Sequence, residues 1–135
     1  MPADPWAEKA MLDWCLGGAS PTRPASWFLE LARGSPTSVS GSGFVSPSFV
    51  STRLPVTFAA AGTPATSGTA TNVSAVTFSA TVALTAAASK AVGFNVWNAS
   101  SGGTRLFYGQ LSASSTMASG DTLAFAAGSL VITIT

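Results

Sequence analysis

Val92-Gly93-Phe94-Asn95-Val96-Trp97 runs into Asn98-Ala99-Ser100-Ser101-Gly102-Gly103, and the chain returns through Arg105-Leu106-Phe107-Tyr108-Gly109-Gln110-Leu111. Val92, Phe94 and Val96 alternate with Gly93, Asn95 and Trp97, and Arg105, Phe107 and Leu111 alternate with Leu106, Tyr108 and Gln110. A period of two on both sides of a Ser/Gly cluster predicts two antiparallel strands joined by a turn at Gly102-Gly103. The pattern repeats downstream. A second turn at Gly120-Asp121 leads to a short strand with Leu123 and Phe125, and Leu130, Ile132 and Ile134 alternate with Val131, Thr133 and Thr135 to the end of the sequence. Asp in such a turn binds neighbouring backbone, so these positions read as structural.

The same alternation extends upstream. Val76 and Phe78 flank Thr77, Val82 and Leu84 flank Ala83, and Leu54, Val56 and Phe58 share one face of a strand within Val50–Phe58. Pro55 cannot donate to a ladder and assigns that strand to a sheet edge. Residues 62–71 have loop composition, and residues 34–48 form a Ser/Gly-rich loop or arm whose large apolar residue is Phe44, with Phe49 just beyond. Such residues anchor a chain on a neighbour or tuck back on their own domain. Residues 26–33 give another strand, with Trp27, Leu29 and Leu31 on one side. Before it, Asp4-Pro5 has the form of an N-cap with proline at the first helical position, and Gly17-Gly18 supplies a stop, which predicts a helix over 5–16. At 100° per residue Trp6, Ala7, Ala10, Met11 and Trp14 share one broad face, and Leu12 and Leu16 lie on another. Either the Trp face packs on the domain and the Leu pair fills a groove, or one face belongs to a neighbouring subunit. The predicted architecture is all-β: a jelly-roll-like antiparallel β-sandwich with a short N-terminal α-helix, one domain over 1–135 in which strand 26–33 joins a β-rich core over 49–135.

Composition narrows the function. Eleven charged residues in 135 give a net charge of +1, and the hydrophobic fraction is 47%. So weak a field does not steer nucleic acid, and so weakly charged a surface favours association, the condition of a protein held in a permanent assembly. The apolar runs are far shorter than the ~20 residues of a membrane-spanning helix, and Met1-Pro2-Ala3-Asp4 lacks a basic segment followed by an apolar core, so no membrane role or secretory leader is expected. The sequence contains no histidine and one cysteine, Cys15. A Ser-His or Cys-His nucleophilic site lacks its base, and neither metal nor other cofactor is expected. Of the carboxylates, Asp4 and Glu8 complement the dipole of the predicted helix, and Asp121 sits in a turn. A protein that is not an enzyme is the reading these residues favour.

The order of features resembles a family of small tailed-bacteriophage virion proteins, known as head decoration (cement) or tail fibre β-sandwich proteins. The resemblance is carried by Pro24-Ala25-Ser26-Trp27-Phe28-Leu29-Glu30-Leu31, by Arg53-Leu54-Pro55-Val56-Thr57-Phe58, by Asn72 with Val76-Thr77-Phe78, by the segment 92–103 and by Ser119-Gly120-Asp121-Thr122-Leu123-Ala124-Phe125. The chain departs from the family pattern at Ser51, where an aromatic is usual, and at Asn98, where Asp is usual. The resemblance implies a structural virion protein, assembled in the host cytoplasm and placed on the capsid surface, that cements the shell by binding the major capsid protein and copies of itself. Trp6, Trp14, Phe44, Phe49 and Arg53 are then the candidate subunit-interface residues, and Gly102, Gly103, Gly120 and Asp121 are structural turns. A tail or tail-fibre component, with a host receptor as partner, is the alternative. A carbohydrate-binding module using Trp97 and Tyr108 is a third reading from a different class.

Overall fold

The structure, a computed structural model, describes residues 3–32, 53–59, 68–80, 90–116 and 120–134. Helix α1 spans Pro5–Cys15, and the strands are β1 Trp27–Ala32, β2 Leu54–Val56, β3 Gly68–Thr71, β4 Val76–Ser79, β5 Lys90–Trp97, β6 Arg105–Thr116, β7 Thr122–Phe125 and β8 Val131–Ile134. One sheet has the order β2-β1-β5-β6, and the pairs β3-β8 and β4-β7 complete the framework. Every pairing is antiparallel. Together with β5-β6, the last two pairs nest one inside the next, which is how a long hairpin folds over into the jelly-roll-like sandwich expected of the sequence.

The apolar alternation sets the register of the main sheet. Leu29 lies opposite Val96, and Leu31 opposite Phe94. All four point into one core with Val56, Val76, Phe78, Phe125 and Leu130. Phe125 joins the layers, meeting Phe78 edge-on at 6.2 Å between centroids and Phe94 at 5.9 Å. Edge-to-face contact of this kind adds to the area each ring buries. Across the ladder from Phe94 is Gly109, where an added Cβ would lie 2.6 Å from the tip of the Phe94 ring. Glycine lets the aromatic cross the backbone of β6.

Several element boundaries differ from the sequence reading. The residues expected as a loop over 62–71 end in a strand, because Gly-Thr-Ala-Thr carries no apolar period of its own and takes its place from β8, with Thr69 and Thr133 hydroxyls 3.4 Å apart across the pair. Within Val50–Phe58 the regular strand is Leu54–Val56, followed by an isolated bridge from Phe58 to Asn72. Pro55 is on the sheet edge, as its missing N–H requires. The strand expected at Val82–Leu84, the 34–48 arm, Phe44 and Phe49 lie outside the described residues.

The turn between β5 and β6 is closed by the Asn98 N–H on the Thr104 carbonyl and by the Thr104 N–H on Asn98 Oδ1, at 3.1 and 2.7 Å. Gly102 and Gly103 have φ of +61° and +74°. At Gly103 a Cβ would also stand 2.4 Å from Asn98 Oδ1. Gly103→Ala is therefore expected to cost about 1–3 kcal/mol, from left-handed backbone strain plus displacement of the Asn98 side chain. Gly102→Ala, with open space around the position, should cost less. Urea midpoints for the two variants check the order, and equal midpoints would refute it.

Candidate functional site

Two constellations stand out, one polar and one apolar, and both involve α1. Asp4 caps the helix with extended backbone, its Oδ1 lying 3.5 Å from the Trp6 N–H. Its N–H donates to the Leu106 carbonyl at 2.8 Å, while Ala3 bridges to Phe107. The segment before the helix thus extends the β6 edge of the sheet. Asp4 Oδ2 accepts from Arg105 Nε at 2.8 Å.

From Arg105 a line of polar side chains crosses the sheet. Arg105 donates to Asn95 Oδ1 at 3.3 Å, and Asn95 Nδ2 to Glu30 Oε1 at 3.4 Å. Glu30 Oε2 then accepts from Arg53 Nε at 2.9 Å. The ladder places Glu30 directly opposite Asn95. Arg53 ends the line by donating to the carbonyls of Ala99 and Gly102 at 2.9 and 2.7 Å, and its guanidinium lies 3.8 Å over the Trp97 ring. Two carboxylates balance two guanidiniums, and Glu30, Asn95 and Arg105 are buried. Buried charges persist in a fold when paired in this way. The line ties the helix cap, three strands and the 98–103 turn into one unit.

The candidate interface residues are divided by this arrangement. Arg53 is bound within its own chain, with 14% of its side chain exposed. Trp6 and Trp14 are 41% and 68% exposed, and Leu12 and Leu16 are 59% and 81% exposed. Of the helix, only Ala7 is buried. The Leu pair fills no groove among the described residues, and the Trp face is only half packed. Beside that face Trp6, Met11, Trp14, Pro24, Trp27 and Phe107 line an almost wholly apolar groove of about 380 Å³. Arg23 stacks 5.3 Å over Trp27 at its rim. Gly120, with φ of +88°, donates to the Ala80 carbonyl, and the Asp121 carbonyl accepts from the Ala80 N–H.

The family described as Podophage GP4 fiber I protein gp80 matches residues 3–133. The chain belongs to this family. It is a structural phage virion protein, as the resemblance implied at that level. No curated protein matches the chain. The match to the fibre family takes in α1, every strand of the sandwich except the last residue of β8, and the complete polar line.

Helix periodicity made Trp6 and Trp14 legible in the sequence as one aromatic face. Glu30, Asn95 and Arg105 were not singled out as a unit. A charged or amide side chain at every second position of a strand ordinarily faces solvent, and only the register brings these residues together. Their one sequence signal was a carboxylate and an amide inside otherwise apolar strands.

Proposed function

We propose that the protein is a repeated subunit of a phage fibre, seated by apolar contacts of α1 rather than by a ligand pocket. The exposed Trp6 and Trp14 on a helix fixed to the sheet edge are the observation that carries the reading. Large apolar side chains at one rigid site are what subunit contacts use as anchors. The description of the family as a fibre protein fits this reading. Decoration of the capsid surface through the major capsid protein is the second reading, favoured by the weakly charged composition and served by the same helix.

A sugar-binding role loses support from the hairpin aromatics. Arg53 covers the Trp97 face, and Arg105 lies 4.7 Å over Tyr108, so neither ring offers a bare stacking platform on that side. Copy number in purified particles tests the proposal. Quantitative mass spectrometry against the major capsid protein is expected to return from about six to a few dozen copies, the range a symmetric fibre attachment supplies. Hundreds of copies would replace the fibre reading with capsid decoration.

A further inference from the structure

The two apolar features of α1 are complementary to each other. Trp6, Ala10 and Trp14 centre on one side of the helix, and Leu12 and Leu16 centre about 140° away at 100° per residue. The first set borders the apolar groove, while the second stands out as a ridge flanked by Lys9 and Asp13, which pair with each other. A ridge and a groove on opposite flanks of one helix cannot meet within one chain. We propose that the Leu12/Leu16 ridge of one copy docks in the Trp6/Trp14 groove of the next. This deepens the fibre reading by naming the partner as a second copy, and its biological setting rests on that reading.

The volumes and chemistry agree. An apolar cavity of about 150 Å³ is enough to hold benzene. The groove, at about 380 Å³, takes two leucine side chains, and its lining is apolar apart from Thr22 and Arg23. The charges stay at the margins of the ridge: Glu8, exposed, lies one turn before Leu12 at its N-terminal end, and Lys9 and Asp13 pair with each other along its edge. Because the two surfaces differ, the contact is head-to-tail, and repeating it yields a ring or a filament rather than a closed two-fold dimer.

Area sets the strength. The exposed parts of Trp6, Leu12, Trp14 and Leu16 amount to about 500 Å², against roughly 1,200–2,000 Å² in total for a specific, stable interface. A single contact is therefore weak, and it persists where several copies are held together on a particle. A stable dimer at low concentration is not expected.

Sedimentation velocity of the full-length chain over a concentration series tests the proposal. The wild type should rise in weight-average mass through the range of about 10–1,000 µM, the micromolar-to-millimolar regime of a weak contact. Leu12→Asp/Leu16→Asp removes the ridge and Trp14→Glu damages the groove, both at exposed positions. Each variant alone should associate at least tenfold more weakly. Mixed in equal amounts they should give dimers and nothing larger, because each retains the one surface that the other lacks. Unchanged self-association of either variant would mean like-with-like pairing and overturn the proposal. So would a mixture that stays monomeric, or a wild type that is monomeric throughout the series. Copy number in the particle is measured independently, so failure of this contact and failure of the fibre reading are distinguishable.

Discussion

Asn72→Ala is expected to lower stability by about 3–5 kcal/mol, a large part of the roughly 5–15 kcal/mol that holds an ordinary domain folded. Asn72 is 2% exposed, and its side chain uses both donor hydrogens and its acceptor. Nδ2 donates to the carbonyls of Ser74 and Ala126, each at 2.9 Å, and Oδ1 accepts from the Leu130 N–H at 2.9 Å. Its backbone adds a donation to the Leu130 carbonyl at 3.3 Å and an acceptance from Gly128 at 2.8 Å. One residue thus sews the link between β3 and β4 to the turn between β7 and β8. Truncation strands the buried Leu130 N–H, and an unsatisfied buried donor costs more than the bond it lost was worth. Thermal midpoints should fall by about 10–20 °C for a chain of this size. Asn72→Asp keeps the acceptor but turns a carboxylate oxygen toward two carbonyls, so it should be no better than alanine. Denaturant midpoints at constant slope measure both. A loss under about 1 kcal/mol for alanine would refute the role, being no more than one ordinary hydrogen bond.

Asn72 also shows where the sequence stopped being informative. The alternation at Val76-Thr77-Phe78 and Phe94-Asn95-Val96 makes strands legible, because a sheet with one face in a core enforces a period of two. Asp4-Pro5 and Gly17 make the helix legible, because its end groups need local partners. Gly17 has φ of +83°, and the Gly18 N–H reaches the Asp13 carbonyl at 2.6 Å. Asn72 has no such local signature. Followed by Val73 and Ser74 it has the form of a glycosylation acceptor, yet its partners Ala126 and Leu130 are brought to it only by closure of β3 on β8. The β3 strand was hidden for the same reason, since its neighbour supplies the apolar side chains.

Glu30→Met is expected to cost about 3–5 kcal/mol, as removal of one member of a buried ion pair leaves an uncompensated charge. The Arg53 guanidinium would remain over Trp97 with only the Ala99 and Gly102 carbonyls to balance it, and Asn95 Nδ2 would lose its acceptor. Arg53→Met should also destabilise, first by leaving Glu30 facing Asn95 alone, and second by freeing the 98–103 turn from its clamp. The double replacement separates these effects. With both charges gone, the desolvation penalty of the surviving partner vanishes and methionine fills part of the space, so the double variant should be more stable than the two single losses predict by at least about 2 kcal/mol. What it does not recover is the turn clamp, which has no apolar substitute. Amide exchange at residues 98–103 should therefore be faster in every variant lacking Arg53 and close to wild type in Glu30→Met, because the carbonyl bonds of Arg53 survive there. Additivity of the two replacements within about 0.5 kcal/mol would mean that the pair is not coupled. Slow exchange of the turn without Arg53 would mean that Gly102, Gly103 and Asn98 hold it unaided. The two measurements together decide whether the polar line joins sheet and turn or only fills the space between them.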